Sequence, residues 1–193
     1  MTITINALGW ACPKPIVEAK KELDKHEEAT ITIWVDDPLA LANLKDYAEE
    51  NNLDFSYTSS GAKEHHITLV KKAGNAAAVT NNSNLVILIT TNILGQGSEE
   101  LGLNLMKGYL YALSEVTPKP KTIIFMNGGV HLTTQGTTAE ESLLTLEAAG
   151  VEIISCGACL NFYGLEDKLV VGKVGNMYTF AEKTNKAANT IVI

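Results

Sequence analysis

Residues 71–84, Lys-Lys-Ala-Gly-Asn-Ala-Ala-Ala-Val-Thr-Asn-Asn-Ser-Asn, contain a single bulky aliphatic side chain, Val79. Such a stretch has almost nothing to bury, and its composition suits a flexible linker. Apolar runs lie on both sides of it, so the chain must build two cores instead of one. The sequence therefore predicts a first unit over residues 1–71, a linker over 72–84 and a second unit over 85–193. A chain of 193 residues is long enough for two small domains.

The first segment alternates strand and helix patterns. Strands are expected near 3–8, 30–35, 53–59 and 65–71, and helices near 13–25 and 38–51. In Ile31-Thr32-Ile33-Trp34-Val35 the aliphatic residues at 31, 33 and 35 share one face, as a half-buried strand requires. Asp36-Asp37-Pro38 starts a helix, with Asp37 at the N-cap and Pro38 in the first position. The last two strands can close as a hairpin around Ser59-Ser60-Gly61. With both helices on one face, this unit is a two-layer α/β sandwich.

The second segment opens on Leu85-Val86-Ile87-Leu88-Ile89, a continuous apolar run typical of a parallel strand covered on both faces. A helix follows over about 98–114, then a strand over 122–126 that breaks at Asn127-Gly128-Gly129. Thr137-x-x-Glu140 has the capping-box pattern and opens a helix to about residue 149. A strand from 151 runs into Cys156. A short strand near 169–173, a helix near 176–187 and a strand over 190–193 complete the unit. This α/β alternation implies a three-layer α/β/α domain with a mostly parallel sheet. Ligands of such sheets bind beyond the carboxyl ends of the strands, where the loops 91–97, 127–132 and 155–159 converge.

Composition excludes several function classes. No run approaches the roughly 18 apolar residues of a membrane span, and no basic start precedes an apolar signal core. A cytoplasmic protein with no membrane partner is expected. The three cysteines do not form a disulfide framework, and in a reducing compartment they point to chemistry. Net charge is −7, and all fifteen basic residues are lysine. The absence of arginine argues against a nucleic-acid partner, because bidentate base and phosphate recognition leans on the guanidinium group.

Two stretches carry the chemistry. In Leu8-Gly9-Trp10-Ala11-Cys12-Pro13-Lys14-Pro15, an apolar run ends at Gly9, and apolar residues at 16, 19 and 23 then recur at helical spacing. Pro13 and Pro15 fall in the first helical turn, where missing amide donors cost nothing. Cys12 is thereby held at a helix start that favours a thiolate, with amides such as those of Lys14 and Ile16 left to face the sulfur. A small buried cysteine capping the helix is the plainer alternative. Lys14, Lys20 and Lys21 form either a docking patch for an acidic partner or a solvated helix face.

The second stretch is Cys156-Gly157-Ala158-Cys159, where a strand hands over to a helix. Such a pair can be a redox dithiol, half of a metal site, a thiol with a resolving neighbour, or two buried cysteines. Zinc wants four ligands and no second pair of this kind exists, so neither metal nor cofactor is expected. Asn127, Gly128 and His131 share the same sheet edge, and His131 is a candidate base or proton donor to Cys156. His65 and His66 alternate across a strand and read as structural. Gly95-Gln96-Gly97 precedes a helix, but Glu99 and Glu100 in its first turn would repel phosphate.

The residues around Cys12, followed by a helix ending in lysines and a strand closing on Asp36-Asp37-Pro38, resemble the TusA/SirA family of sulfur carriers. In that family the cysteine of the CPxP motif carries a persulfide. The family often places an acidic residue and then arginine before the glycine, where this chain has Asn6 and Ala7. Thr90-Thr91-x-x-Leu94-Gly95, Asn127-Gly128-Gly129-Val130 and Cys156-Gly157-x-Cys159-x-x-Phe162-Tyr163-Gly164 resemble the DsrE-like family of sulfur-relay subunits. There Cys156 matches the receiving cysteine by position and Cys159 is additional. The fusion is similar to the YedF-type proteins, a group implicated in selenium metabolism.

This resemblance implies a sulfur or selenium relay in which Cys12 accepts the chalcogen and Cys156 exchanges it. Cys159 would resolve Cys156 as a disulfide. The implied partners are a sulfur or selenium donor protein and a downstream acceptor, with homo-oligomerisation through the second unit. A non-catalytic module that binds a small ligand or partner at the edge loops is the competing reading.

Overall fold

The computed structural model describes residues 2–11, 13–60, 64–73 and 84–193. Cys12 and most of the expected linker lie outside the described residues. The chain divides into two compact units, Met1–Ala78 and Val79–Ile193.

The first unit runs β1 (Thr2–Asn6), α1 (Lys14–Asp24), β2 (Ala29–Val35), α2 (Pro38–Glu50), β3 (Asp54–Ser60) and β4 (Glu64–Lys71). Its sheet has the order β1-β2-β4-β3. β1 and β2 are parallel, and β4 is antiparallel to both of its neighbours. The expected hairpin is therefore present, while its turn, residues 61–63, lies outside the described residues.

Burial along β2 alternates strictly, with Ala29, Ile31, Ile33 and Val35 all inside. These residues join Ile67 and Leu69 of β4, Ala19 and Leu23 of α1, and Ala40, Leu44 and Ala48 of α2 in one core. Both helices thus cover one face, giving the two layers that the alternation predicts. The opposite face carries a cross-strand row of hydroxyls, Thr4, Thr32, Thr68 and Ser56, in successive register.

The second unit runs β5 (Leu85–Ile89), α3 (Glu99–Glu115), β6 (Thr122–Phe125), a 3-10 helix (Asn127–Thr133), α4 (Glu140–Ala148), β7 (Glu152–Cys156), α5 (Gly157–Phe162), a 3-10 turn (Glu166–Lys168), β8 (Lys173–Gly175), α6 (Met177–Lys186) and β9 (Asn189–Val192). The sheet order is β8-β7-β6-β5-β9, and every pair is parallel. Right-handed crossovers then place α3 and α4 on one face and α6, which carries the chain back to β9, on the other. The sheet interior is the fully buried set Ile87, Ile89, Ile123, Ile124, Phe125 and Ile154.

Three local expectations change. The strand expected near 169–173 forms over Lys173–Gly175 instead. Gly172 has φ +79°, and a Cβ there would lie 2.6 Å from the Ile153 carbonyl oxygen, so pairing with β7 begins only after it. Thr137 does not cap a helix with Glu140. Its hydroxyl accepts the Ala139 amide at 3.1 Å, and α4 begins after Ala139, leaving Glu140 in the first helical position. Finally, the loop expected after β6 is a 3-10 helix through Thr133.

Candidate functional site

In the first unit, the loop after β1 is tied to the end of β2. The Ala7 amide donates to the Trp34 carbonyl at 2.9 Å, and the Gly9 amide donates to Asp36 Oδ1 at 2.9 Å. Asp37 caps α2 by accepting the Leu39 amide at 2.9 Å. The paired aspartates therefore divide their work: one starts a helix and the other clamps the loop that leads to Cys12.

Pro13 occupies the N-cap of α1, with Pro15 in its first turn. The Lys14 amide donates to the Ala11 carbonyl at 3.1 Å, and the Ile16 amide donates to the Pro13 carbonyl at 3.1 Å. Both are the short i→i+3 bonds of a tight first turn. The expectation that these amides face the sulfur falls on Cys12, which lies outside the described residues. The Lys14 ammonium sits 4.6 Å from the centre of the Trp10 ring, a cation–π contact that fixes the lysine beside the loop. His66 stacks on Trp34 with ring centroids 4.9 Å apart, and its Nε2 lies 2.6 Å from Glu64 Oε1. It is built into the sheet.

In the second unit, the carboxyl ends of β5, β6 and β7 converge. The chain leaving β6 turns back sharply: the Met126 amide donates to Ile89 O at 2.9 Å, and the Gly129 amide donates to Met126 O at 2.9 Å. A Cβ on Gly129 would lie 2.3 Å from the Ile89 carbonyl oxygen, so this approach demands glycine. Asn127 adopts φ +47°, a left-handed conformation that asparagine tolerates better than most residues. Beneath this turn the Thr133 hydroxyl bonds the Val130 carbonyl at 2.9 Å and the Ser155 hydroxyl at 2.8 Å. Thr133 and Ser155 are fully buried, and together they fasten the 3-10 helix to β7.

Cys156 ends β7 and occupies the N-cap of α5, with only 4% of its surface exposed. Cys159 follows one turn later and is half-buried. The Asn127 backbone N–H donates to Cys159 Sγ at 3.1 Å. Tyr163, one further helical turn on, donates its hydroxyl to Asn127 Oδ1 at 2.9 Å. Its ring lies 4.8 Å from that of His131 and meets Phe162 edge-on at 5.1 Å.

Burial pushes the Cys159 thiol above its ordinary range, the Cys156 thiol pushes it further, and the Asn127 amide opposes both. The site is a dithiol with one buried and one half-buried member, and a backbone donor aimed at the half-buried sulfur. Among the described residues, no group of three His, Cys, Asp or Glu side chains is disposed to hold a metal ion.

The structure brings Cys156, Cys159, Asn127 and His131 together, with Gly128 in the same turn. His131 packs on Tyr163, whose hydroxyl holds Asn127. Pro13, Lys14 and Pro15 flank Cys12 in the other unit. Tyr163 is the functional residue that spacing could have revealed, since it lies four positions after Cys159 on one helix face. Asp36, Thr133 and Ser155 act through contacts distant in sequence, which no local pattern shows.

The α/β sandwich and the parallel α/β unit, with Cys156 at the end of β7, each match a family model, and both models belong to the sulfur-handling class. Residues 83–193 match the DsrE/DsrF-like family and residues 3–72 match Sulfurtransferase TusA. The chain belongs to the DsrE/DsrF-like family and joins to it a TusA domain in a single polypeptide. No curated protein matches the chain.

Among solved structures, it is similar to a SirA-like protein from Desulfitobacterium hafniense, at 32% identity and TM-score 0.35, covering 36% of this chain and 97% of that one. It is also similar to the ychN protein from E. coli, at 16% identity and TM-score 0.45, covering 56% and 97%. A conserved protein of unknown function from Bacteroides thetaiotaomicron matches at 17% identity and TM-score 0.43, covering 61% and 100%. Both matched families are related to sulfur relay and sulfurtransfer, which supports a sulfur-carrier role with sulfur donors and acceptors as the general kind of partner. Among the described residues, no helix is long and apolar enough to cross a membrane.

Proposed function

We propose that this protein is a YedF-type sulfur or selenium relay of the cytoplasm. Cys12 carries the chalcogen as a persulfide and exchanges it with the second unit at Cys156, with Cys159 beside it. The observation that carries this reading is the cysteine pair at the β7–α5 junction, whose half-buried sulfur accepts the Asn127 amide at 3.1 Å. A backbone N–H aimed at sulfur stabilises the negative charge that develops when a thiolate attacks or leaves. Residues 72–84 serve as the tether, and oligomerisation through the second unit would let the exchange run within or between chains.

Exchange proceeds by attack of a receiving thiolate on the outer sulfur of a persulfide. The S–S bond breaks, the new S–S bond forms, and the former carrier leaves as a thiolate. The test is intact-mass spectrometry without reductant, after incubation with a cysteine desulfurase plus cysteine, or with selenocysteine and its lyase. Wild type should gain a sulfur- or selenium-sized adduct that Cys12→Ser abolishes, and Cys156→Ser should block onward transfer. Absence of an adduct on every cysteine would refute the relay and favour a module that binds a small ligand or partner at the edge loops.

A further inference from the structure

The geometry points to a terminal activity at this pair: Cys159 is the entry thiol, and buried Cys156 then discharges its persulfide as hydrosulfide or hydroselenide. This rests on the relay reading for the delivery of sulfur to the second unit, but it moves the point of entry from Cys156, where that reading has it, to Cys159.

Three observations carry the assignment. Cys159 is the more accessible thiol, whereas Cys156 is 4% exposed and shielded from a protein-sized donor. The Asn127 N–H points at Cys159 Sγ, the atom on which charge changes as sulfur arrives, and Tyr163 holds that donor in place. The two cysteines lie one turn apart at the start of α5. A carrier needs one thiol. A second thiol within reach of the first attacks the inner sulfur of any persulfide formed there.

The steps balance. The Cys159 thiolate attacks the outer sulfur of a donor persulfide, forming a persulfide on Cys159 and releasing the donor as a thiolate. The Cys156 thiolate then attacks Cys159 Sγ, forming the Cys156–Cys159 disulfide and expelling HS⁻. The transferred sulfur gains two electrons and the cysteine pair loses them. A dithiol reductant restores the pair for the next cycle.

The test uses the full chain carrying Cys12→Ser, so that only this pair retains thiols, with glutathione persulfide as donor. Without added reductant we expect a burst of about one sulfide per chain, as a single two-electron oxidation of the pair allows, with the disulfide mapped to Cys156–Cys159. Added dithiothreitol should convert the burst into turnover. Cys156→Ser and Cys156→Ala should abolish the burst and trap a sulfur-sized adduct on Cys159. Cys159→Ser should show neither the burst nor an adduct on Cys156.

An undiminished burst in both Cys156 variants would overturn the discharge step. An adduct on Cys156 in Cys159→Ser would overturn the order. The relay reading fails separately: it falls if the unsubstituted chain gains no adduct on Cys12 from a cysteine desulfurase, even where the pair discharges glutathione persulfide. Conversely, loading of Cys12 with no burst at the pair would refute only the present inference.

Discussion

Replacing Tyr163 by phenylalanine removes one oxygen and isolates the latch that aims the Asn127 amide. The lost bond is a neutral hydroxyl–amide hydrogen bond of 2.9 Å. Such bonds contribute about 0.5–1.5 kcal/mol net, and this one lies at the lower end because Tyr163 is 37% exposed. Against it stands the left-handed conformation of Asn127 at φ +47°, which costs an L-residue about 1–2 kcal/mol and less for asparagine. The balance is close, so losing about 0.7 kcal/mol should lower the equilibrium constant for N–H on sulfur about threefold and, from an even balance, its population about twofold.

The assay is the pH dependence of Cys159 alkylation by iodoacetamide, in a full-length background with Cys12→Ser and Cys156→Ser. On the acid side of the profile the rate should fall about twofold in Tyr163→Phe, in line with the lost population. The midpoint should move to higher pH, because the amide is the contact that lowers this pKa. The plateau at high pH should not change, since the thiolate's access is untouched. Phenylalanine preserves the ring contacts with His131 and Phe162, so thermal stability should barely move. Superimposable pH profiles would refute the latch, and a drop in the plateau would show that the ring controls access instead.

Other predictions follow from single contacts. Gly129→Ala puts a Cβ 2.3 Å from a backbone oxygen that cannot swing aside, so it should destabilise the second unit by about 1–3 kcal/mol or more in urea unfolding. Asp37→Ala deletes the α2 cap and should cost about 1 kcal/mol in the first unit's transition. Asp36→Asn retains the geometry but weakens the acceptor of the Gly9 amide, so hydrogen exchange at Gly9 should quicken.

Burial raises the Glu152 carboxyl pKa, but bonds from Lys183 at 2.5 Å, Lys173 at 2.9 Å and Thr122 at 3.1 Å outweigh it and lower it to about 2. A depressed folded-state value stabilises above the ordinary carboxylate pKa of 4.5 and is lost as pH falls toward 2. Wild type should therefore lose its advantage over Glu152→Gln between those pH values, as read by denaturant midpoints.

The strands and helices were legible because their periodicities are local. The run 85–89 announced a doubly covered strand, and the 31, 33, 35 alternation announced a half-covered one. Asp37 acted as the expected cap because capping needs only neighbours along the chain. Thr137 did not cap, since a turn involving Thr134 took its hydrogen-bonding geometry two residues ahead of the helix. Cys156 and Cys159 were visible as a pair, but their unequal exposure was not. That inequality comes from where β7 stops and from the Asn127 turn 32 positions away from Cys159. The contact of Asp36 with Gly9 spans 27 positions and is equally silent in the sequence.

The hydroxyl row across the first sheet has an experimental use. Thr4, Thr32, Thr68 and Ser56 hydrate readily, and their strands keep good β-propensity without an apolar wall that would ask for a cover. Ser56, at the β3 end of the row, is exposed on a strand paired along its length with β4. A spin label placed there would ride on rigid backbone, remote in sequence from both cysteine-bearing loops. Paired with a second label on α6, it would report the range of separations between the two units in solution.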